Sequence, residues 1–367
     1  MPDTLTGFTS DSTARQLDYE KRLLPLPQSD AFRDHLLNIT RDPHPAGTEA
    51  NLRVAEYLAE SMEKAGLKVD RYEYDVYIPE PGADIDVALV TPIRLPLNNQ
   101  EYVLKEDPFS AHPDLLPGWN AFSGSGDVTA PVVYANYGRK EDFEKLEELG
   151  VSVKGKIVIA RFGGNFRGHK VRYAEAAGAI GVVMFTDPSD GGYTAGTVYP
   201  EGKQHNESAV QRGSLLTIEH PGDPLTPFEP AYAQESGKPV DRKDPEQVAF
   251  HTIPAAPLPY GSAVEILKRM TGSGVPSGWQ GGLPITYRVE GGEDLTVRLR
   301  VDQPRKLSRA VNVVGTLEGS ECPDEWIILG CHYDAWAFGT VDPNSGTAML
   351  LTLADALGKL AAEGHRP

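Results

Sequence analysis

Between residues 129 and 187 the sequence alternates short apolar runs with charged, helix-forming segments. The apolar runs are almost uninterrupted, which is typical of strands buried on both faces of a sheet. This order indicates a compact unit of alternating strands and helices. The predicted strands span residues 131–135, 156–162 and 180–185, and the predicted helices span residues 140–149 and 170–177.

A different pattern flanks this unit on both sides. A helix is predicted to begin at Thr48, whose hydroxyl can cap the first turn, and to end at Gly66. Residues 67–78 then alternate apolar and polar side chains like a half-buried strand, and a Pro-rich stretch follows. We therefore predict a domain boundary near residue 78. The remaining predictions are a helix at 262–270, strands at 295–301, 310–316 and 325–330, and a helix at 345–360.

Composition excludes several classes of protein. A formal net charge of −17 without a long basic cluster disfavours a nucleic-acid partner, because such binding depends on neutralising phosphates. No apolar stretch approaches the length of a membrane span, and the N-terminus has no signal-like apolar region. Two cysteines, Cys322 and Cys331, cannot build a disulfide scaffold; pairing stays open, and we expect buried thiols.

The segment 328–347 carries the side chains that bear chemistry. A buried strand is predicted to end at His332, Asp334 follows, and a loop leads to Asp342 just before a helix. A neutral imidazole binds zinc, a carboxylate can bridge two metals, and a second carboxylate can orient the imidazole. A plainer arrangement, in which His332 only hydrogen-bonds a loop carboxylate, fits the spacing equally well. Two ligands do not make a metal site.

A family resemblance favours the metal site. His332-x-Asp334, followed by Asp342-Pro-Asn-Ser-Gly-Thr-Ala348, resembles the first metal-ligand block of the zinc aminopeptidase and glutamate carboxypeptidase family. The similarity runs from about residue 17 through nearly the whole chain. Further segments that resemble glutamate carboxypeptidase lie at residues 43–49, 136–142, 155–161, 166–170, 211–213, 222–227 and 253–257.

The resemblance implies an α/β architecture of two parts. Residues 1–77 and 307–367 would form a mixed-sheet zinc exopeptidase domain, incomplete in this chain. Residues 78–306 would form an inserted protease-associated (β/α) apical domain. The composition change near residue 78 falls at the same place.

The resemblance also implies roles at the metal. His332 would bind one zinc ion, and Asp342 would bridge the two zinc ions (Zn2+) of a complete site. Asp334 would be the catalytic carboxylate behind the histidine. The two metals would activate a water molecule and polarise the scissile carbonyl. The substrate would be a short peptide.

Substrate and calcium contacts are implied by position alone. Arg167 matches an arginine that contacts an acidic C-terminal residue, and Asn344 falls in the metal-ligand block as a substrate contact. Gln204 stands where the relatives have a substrate-contacting asparagine, so the side-chain preference stays open. Thr226 and the neighbouring Glu229 match a structural calcium (Ca2+) site.

Parts of the family pattern are expected to lie beyond Pro367. These are a Glu-Glu pair that supplies the general base and a ligand, two further ligands, and a dimerising helical domain. We therefore expect residues 1–367 alone to be inactive and the full-length protein to be a homodimer. The resemblance favours a secreted or periplasmic protein.

A non-catalytic protein similar to the transferrin receptor is the alternative. It would use the same scaffold for binding rather than for hydrolysis. Such receptors have lost zinc ligands, whereas this sequence keeps both His332 and Asp342. The metal ligands therefore favour the peptidase.

Overall fold

The computed structural model describes residues 5–366, and the chain divides into two compact units. The terminal unit comprises the chain up to Asp75, the short segment Tyr232–Gly237 and the chain from Arg309. The central unit comprises Val76–Ala231 and Lys238–Ser308. The domain limits drawn from the sequence stay a prediction beside these units.

Helices dominate the terminal unit. Ile39, Val54, Leu58, Ala348 and Leu351 form its buried core, so three helices pack on one apolar cluster. The side chain of Thr48 caps the third helix, as predicted. The elements are α1 (Ser10–Leu23), α2 (Ser29–Ile39), α3 (Glu49–Lys64) and α8 (Asn344–Ala362), with the paired strands β1 (Lys68–Pro79) and β11 (Arg305–Thr316) crossing the boundary between the units.

The helices predicted from residues 48 and 345 are confirmed as α3 and α8. The first two helices were not predicted. Helix α1 is mostly polar, so it lacks a clear apolar period, and its first turn is fixed by the hydroxyl of Thr9. Helix α2 is short, with one fully buried residue, Ile39.

The strand predicted at residues 325–330 is wrong. No regular structure forms there, and Trp326, Ile327 and Ile328 are 81–91% exposed. An apolar run becomes a strand only when a neighbour takes up its backbone hydrogen bonds, and no described strand pairs with this one. The expected mixed sheet is therefore absent from the described part of the terminal unit, where only β1 and β11 pair. Both cysteines are exposed free thiols, which corrects the expectation of burial.

The central unit contains a seven-stranded mixed sheet with the order β3-β2-β10-β5-β6-β7-β9. Strands β5, β6, β7 and β9 run parallel, and β2, β3, β5 and β10 pair antiparallel. The strands are β2 (Asp84–Thr91), β3 (Leu95–Pro96), β4 (Asn120–Ala121), β5 (Gly126–Tyr134), β6 (Ile157–Arg161), β7 (Gly181–Phe185), β8 (Gly213–Ser214), β9 (Ala255–Leu258) and β10 (Thr296–Asp302). The helices are α4 (Lys140–Glu148), α5 (Arg167–Ala176), α6 (Pro188–Gly191) and α7 (Tyr260–Leu267), with short 3-10 turns at Pro108–Ala111 and Pro245–Gln247.

Two sequence patterns explain this sheet. Every residue of β6 and β7 is buried, as expected for parallel strands with both faces covered. Strand β10 instead alternates, burying Val297, Leu299 and Val301 and turning Arg298 and Arg300 outward to ion pairs. The predicted strands and helices of residues 129–187 are thereby confirmed, although α5 begins three residues early.

Within residues 5–366 no helix has both the length and the apolar character needed to cross a membrane.

Candidate metal centre

His332 lies in a loop of the terminal unit that is fixed at two points. Its carbonyl oxygen accepts a hydrogen bond of 2.7 Å from the hydroxyl of Thr347 on α8. The hydroxyl of the next residue, Tyr333, donates to the carbonyl of Val311 on β11 at 2.6 Å. Burial raises the pKa of Tyr333 to about 12, so the phenol stays a donor. The backbone of His332 is therefore held while its side chain remains 59% exposed.

Asp334 fixes the orientation of the His332 ring. Nδ1 of His332 donates to Oδ1 of Asp334 at 3.0 Å. A neutral imidazole that donates from Nδ1 carries its lone pair on Nε2. That Nε2 lies 3.4 Å from Oδ1 of Asp342. The three predicted residues are thus brought together, with Nε2 of His332 turned toward Asp342.

The pair formed by His332 and Asp342 fits a zinc ion. A nitrogen lone pair and a carboxylate oxygen repel each other unless a positive charge lies between them. Two ligands bound about 2.0 Å from a tetrahedral zinc lie about 3.3 Å apart, close to the separation seen here. Within residues 5–366, no group of three or more His, Cys, Asp or Glu side chains is arranged to hold a metal, either around this pair or elsewhere. The described residues therefore bring together two of the side chains that were predicted to bind zinc.

Asp342 projects from a tight loop at the start of α8. Gly339 takes a positive φ of 66°, and its carbonyl accepts from the backbone amide of Asn344 at 2.9 Å. The hydroxyl of Ser345 donates to the carbonyl of Val341 at 2.6 Å. These bonds close the base of the loop, and the side chain of Asp342 is left 91% exposed.

A buried histidine that sequence reasoning missed supports this loop. His44 is fully buried, and its Nδ1 donates to the carbonyl of Asp42 at 2.7 Å. Its Nε2 can therefore accept from the amide nitrogen of Asn344, which lies 3.0 Å away. The His44 backbone also bonds Ala335 and Ala337. The only sequence signal was that residues 43–49 resemble the family, and no role was predicted for them.

Asn344 is placed differently from the predicted substrate contact. The residue is fully buried, and its amide nitrogen also donates to the carbonyl of Phe338 at 3.2 Å. In this arrangement the side chain is not open to a substrate. Asn344 instead links the His44 ring to the loop that carries Asp342.

Arg167 belongs to the central unit, where it lies at the start of α5 beside strand β8. A side chain at Gly213 would come within 2.3 Å of its guanidinium, so this glycine is what lets the arginine approach the strand. Among residues 5–366 the guanidinium has no acidic partner, and its buried Nε has no hydrogen bond. Burial lowers the pKa of Arg167. This environment suits an anionic ligand.

The other predicted contacts also lie in the central unit. Gln204 is half-buried, and its backbone bonds Thr197 and Tyr199. Thr226 is buried, and its hydroxyl donates to the carboxylate of Asp223 at 3.0 Å, while Glu229 is exposed. Their roles toward substrate and calcium stay predictions.

Comparison with known proteins gives a match within each unit. Residues 312–367 match the profile of Peptidase family M28, and residues 128–214 match the PA domain. The glutamate carboxypeptidase 2 homolog of Caenorhabditis briggsae is 38% identical over 347 residues, which are 90% of this chain and 44% of that protein. Over most of its length, the chain is similar to the glutamate carboxypeptidases. Its α/β fold combines an M28 peptidase segment with an inserted PA domain.

Other proteins similar to this chain agree. The aminopeptidase NAALADL1 of Mus musculus is 31% identical, with 98% of this chain and 50% of that protein covered. The crystal structure of a peptidase M28 precursor from Shewanella amazonensis SB2B shares the fold, with a TM-score of 0.55, 16% identity, and 95% of this chain and 64% of that one covered. The chain spans about half the length of the curated relatives it matches.

Proposed function

We propose that the whole protein containing this chain is a zinc-dependent exopeptidase that hydrolyses short peptides. One observation carries the proposal. The Nε2 atom of His332, oriented by Asp334, lies 3.4 Å from an oxygen of Asp342, the spacing of two ligands on one zinc. The relatives are longer proteins than this chain and are named as peptidases. Their names support the same reaction class.

The residues of this chain would hold the metal and keep it oriented. His332 would donate Nε2, Asp342 would donate its exposed carboxylate, and Asp334 would keep the proton on Nδ1. When bound, zinc supplies a Lewis acid for the scissile carbonyl and the attacking water. Asn344 and His44 would keep the loop of Asp342 in place from behind.

Residues 1–367 by themselves are proposed to be inactive. Catalytic zinc sites use three or more protein ligands, and the described residues bring together two. Purified chain supplied with zinc should therefore show no hydrolysis of peptides with free termini above a zinc-only blank. Cleavage that persists in the wild-type chain but is absent from a His332→Ala preparation would contradict this.

Asp334→Asn should weaken zinc binding by the whole protein by about 10- to 100-fold, the usual cost of losing an outer carboxylate behind a histidine ligand. The amide keeps the size of the side chain but cannot supply the negative charge that holds Nδ1–H. Competition with a chromophoric chelator measures the affinity. Asp324→Asn, on an exposed turn, is the matched control and should leave the affinity unchanged. Equal affinities for both variants would remove Asp334 from the site.

We further propose that Arg167 binds a substrate carboxylate, which makes the enzyme a carboxypeptidase or dipeptidase with a preference for acidic C-terminal residues. The half-buried guanidinium without an acidic partner supports this role. Gln204 would contact the same end of the substrate. The whole protein should cleave N-blocked peptides with a free C-terminal carboxylate and spare their C-terminal amides.

Arg167→Met should raise KM for such peptides by about 10- to 100-fold with a smaller change in kcat, because a charge-assisted hydrogen bond contributes about 1.5–3 kcal/mol. Arg172→Met is the matched control, since Arg172 is an exposed arginine on the same helix. Steady-state kinetics on a C-terminal glutamate peptide measures both. If Arg167→Met had the same KM as Arg172→Met, Arg167 would not bind the substrate. Loss of all activity in both variants would point to misfolding of α5.

A further inference from the structure

A surface pocket of about 310 Å³ lies in the central unit, and the proposed hydrolysis makes no use of it. Its lining includes Tyr77, Ser125, Thr252 and Arg305. A volume of this size accommodates a small organic molecule. The lining combines one guanidinium, the imidazole of His251 and three side-chain hydroxyl groups.

Arg305 is the charged group of the pocket and has no anionic partner among residues 5–366. Its Nη2 donates to the carbonyl of Ser123 at 2.7 Å, and its buried Nε has no hydrogen bond. Burial lowers the pKa of Arg305, and the phenol of Tyr77 is the one titratable group that opposes this shift. By contrast, the half-buried Arg212 of the same unit forms two hydrogen bonds of 2.7 Å with Glu101.

Aromatic rings hold the Arg305 guanidinium in place. Its Cζ lies 4.4 Å from the ring centroid of Phe250 and 5.9 Å from that of Phe122. Stacking on a ring fixes the plane of the guanidinium and leaves its edge for hydrogen bonding. A half-buried guanidinium without an anionic partner is costly, so this arrangement stabilises the protein most when an anion occupies the pocket.

Hydroxyl groups can complete the anion's contacts. The Oγ of Ser125 accepts from the backbone amide of Gln303 at 3.0 Å, so its own proton is available to a ligand. Two acidic side chains are bonded to the pocket wall. The oxygens of Glu175 are used by the amide and hydroxyl of Thr252 and by His251. Those of Asp223 accept from the backbone amide of Tyr77 at 2.6 Å and from the hydroxyl of Thr226. Both carboxylates are therefore occupied by hydrogen bonds within the protein.

We propose that this pocket binds a small oxyanion, a carboxylate or a phosphate group that pairs with Arg305 and accepts from Ser125. Tyr77 would contact the carbon skeleton of an organic carboxylate. The binding is separate from peptide hydrolysis, because His332, Asp342 and Arg167 take no part in it.

Calorimetric titration of the whole protein at constant ionic strength tests the proposal. Sodium benzoate and sodium phosphate are the two probes, and benzamide and sodium chloride are their neutral and simple-anion controls. Benzoate binding identifies a carboxylate ligand, and phosphate binding alone identifies a phosphate ligand. Arg305→Met should weaken binding at least about 10-fold, and Arg305→Lys should weaken it less because it keeps the charge but not the fork of donors.

Matched variants separate this pocket from other anion sites. Arg300→Met removes a half-buried arginine of the preceding strand, β10, and should bind like the wild type. Ser125→Ala should weaken binding even if Arg305→Met fails to fold. The proposal is overturned if the wild type binds neither probe below about 10 mM. It is also overturned if folded Arg305→Lys and Ser125→Ala both bind with wild-type affinity.

Discussion

Replacing His332 by alanine in the whole protein lowers kcat/KM for peptide hydrolysis at saturating zinc by at least about 1,000-fold. Metal catalysis is worth several kcal/mol of transition-state stabilisation, and each 1.4 kcal/mol is a factor of ten in rate. Without the imidazole, Asp342 is the remaining donor of the pair, and the described residues contain no cluster of three or more candidate metal ligands. The expected loss of kcat/KM is therefore the loss that would follow from removing the zinc ion.

His220→Ala is the control for this result. His220 lies in a loop of the central unit, where its ring packs beside Phe228. Its removal should leave kcat/KM within about twofold, as expected for a surface substitution. If His332→Ala kept more than a tenth of the wild-type activity after contaminating peptidases were excluded, the imidazole would not be a zinc ligand.

Replacing Gly358 by alanine destabilises the terminal unit by about 3 kcal/mol, although alanine is the better helix former. A methyl group at this position of α8 would lie 1.8 Å from the carbonyl oxygen of Ala65, which is backbone and cannot rotate away. Overpacking against fixed backbone costs up to about 3 kcal/mol in stability, and occasionally more. The gain in helix propensity is smaller, about 1 kcal/mol. A loss of stability in Gly358→Ala would therefore show that α8 closely approaches the end of α3.

Urea titration followed by far-UV circular dichroism measures this change. Gly346→Ala on the same helix is the control, because its added methyl meets only the exposed thiol of Cys331, a side chain that can turn. That variant should lose no more than about 1 kcal/mol. Equal stability of Gly358→Ala and the wild type would mean that the two helices do not approach as described.

Local sequence patterns predicted much of the fold where the chain supplies its own partners. The apolar runs that became β6 and β7 lie between neighbours in the same sheet, so they are buried as expected. The equally apolar run at 325–330 has no described neighbour and stays exposed. Apolar character predicts a need for burial, and only the rest of the sheet decides whether that need is met.

The candidate site was predictable to the same extent. Spacing along one loop was enough to bring His332, Asp334 and Asp342 together, because all three belong to a short segment that is closed by local bonds. The contact between His44 and Asn344 joins residues 300 positions apart, and no local pattern reports such a pair. The unpaired state of Arg305 likewise depends on which acids the fold places elsewhere.

The zinc content of the purified whole protein tests the central claim most directly. The protein is dialysed against zinc, freed of loose metal by gel filtration and analysed by mass spectrometry, beside His332→Ala and Asp342→Asn. We predict at least one zinc per wild-type chain and a clear loss in both variants. Full zinc retention by both folded variants, or a wild type that holds none, would contradict a metal site at His332 and Asp342 and favour a non-catalytic relative of the peptidases.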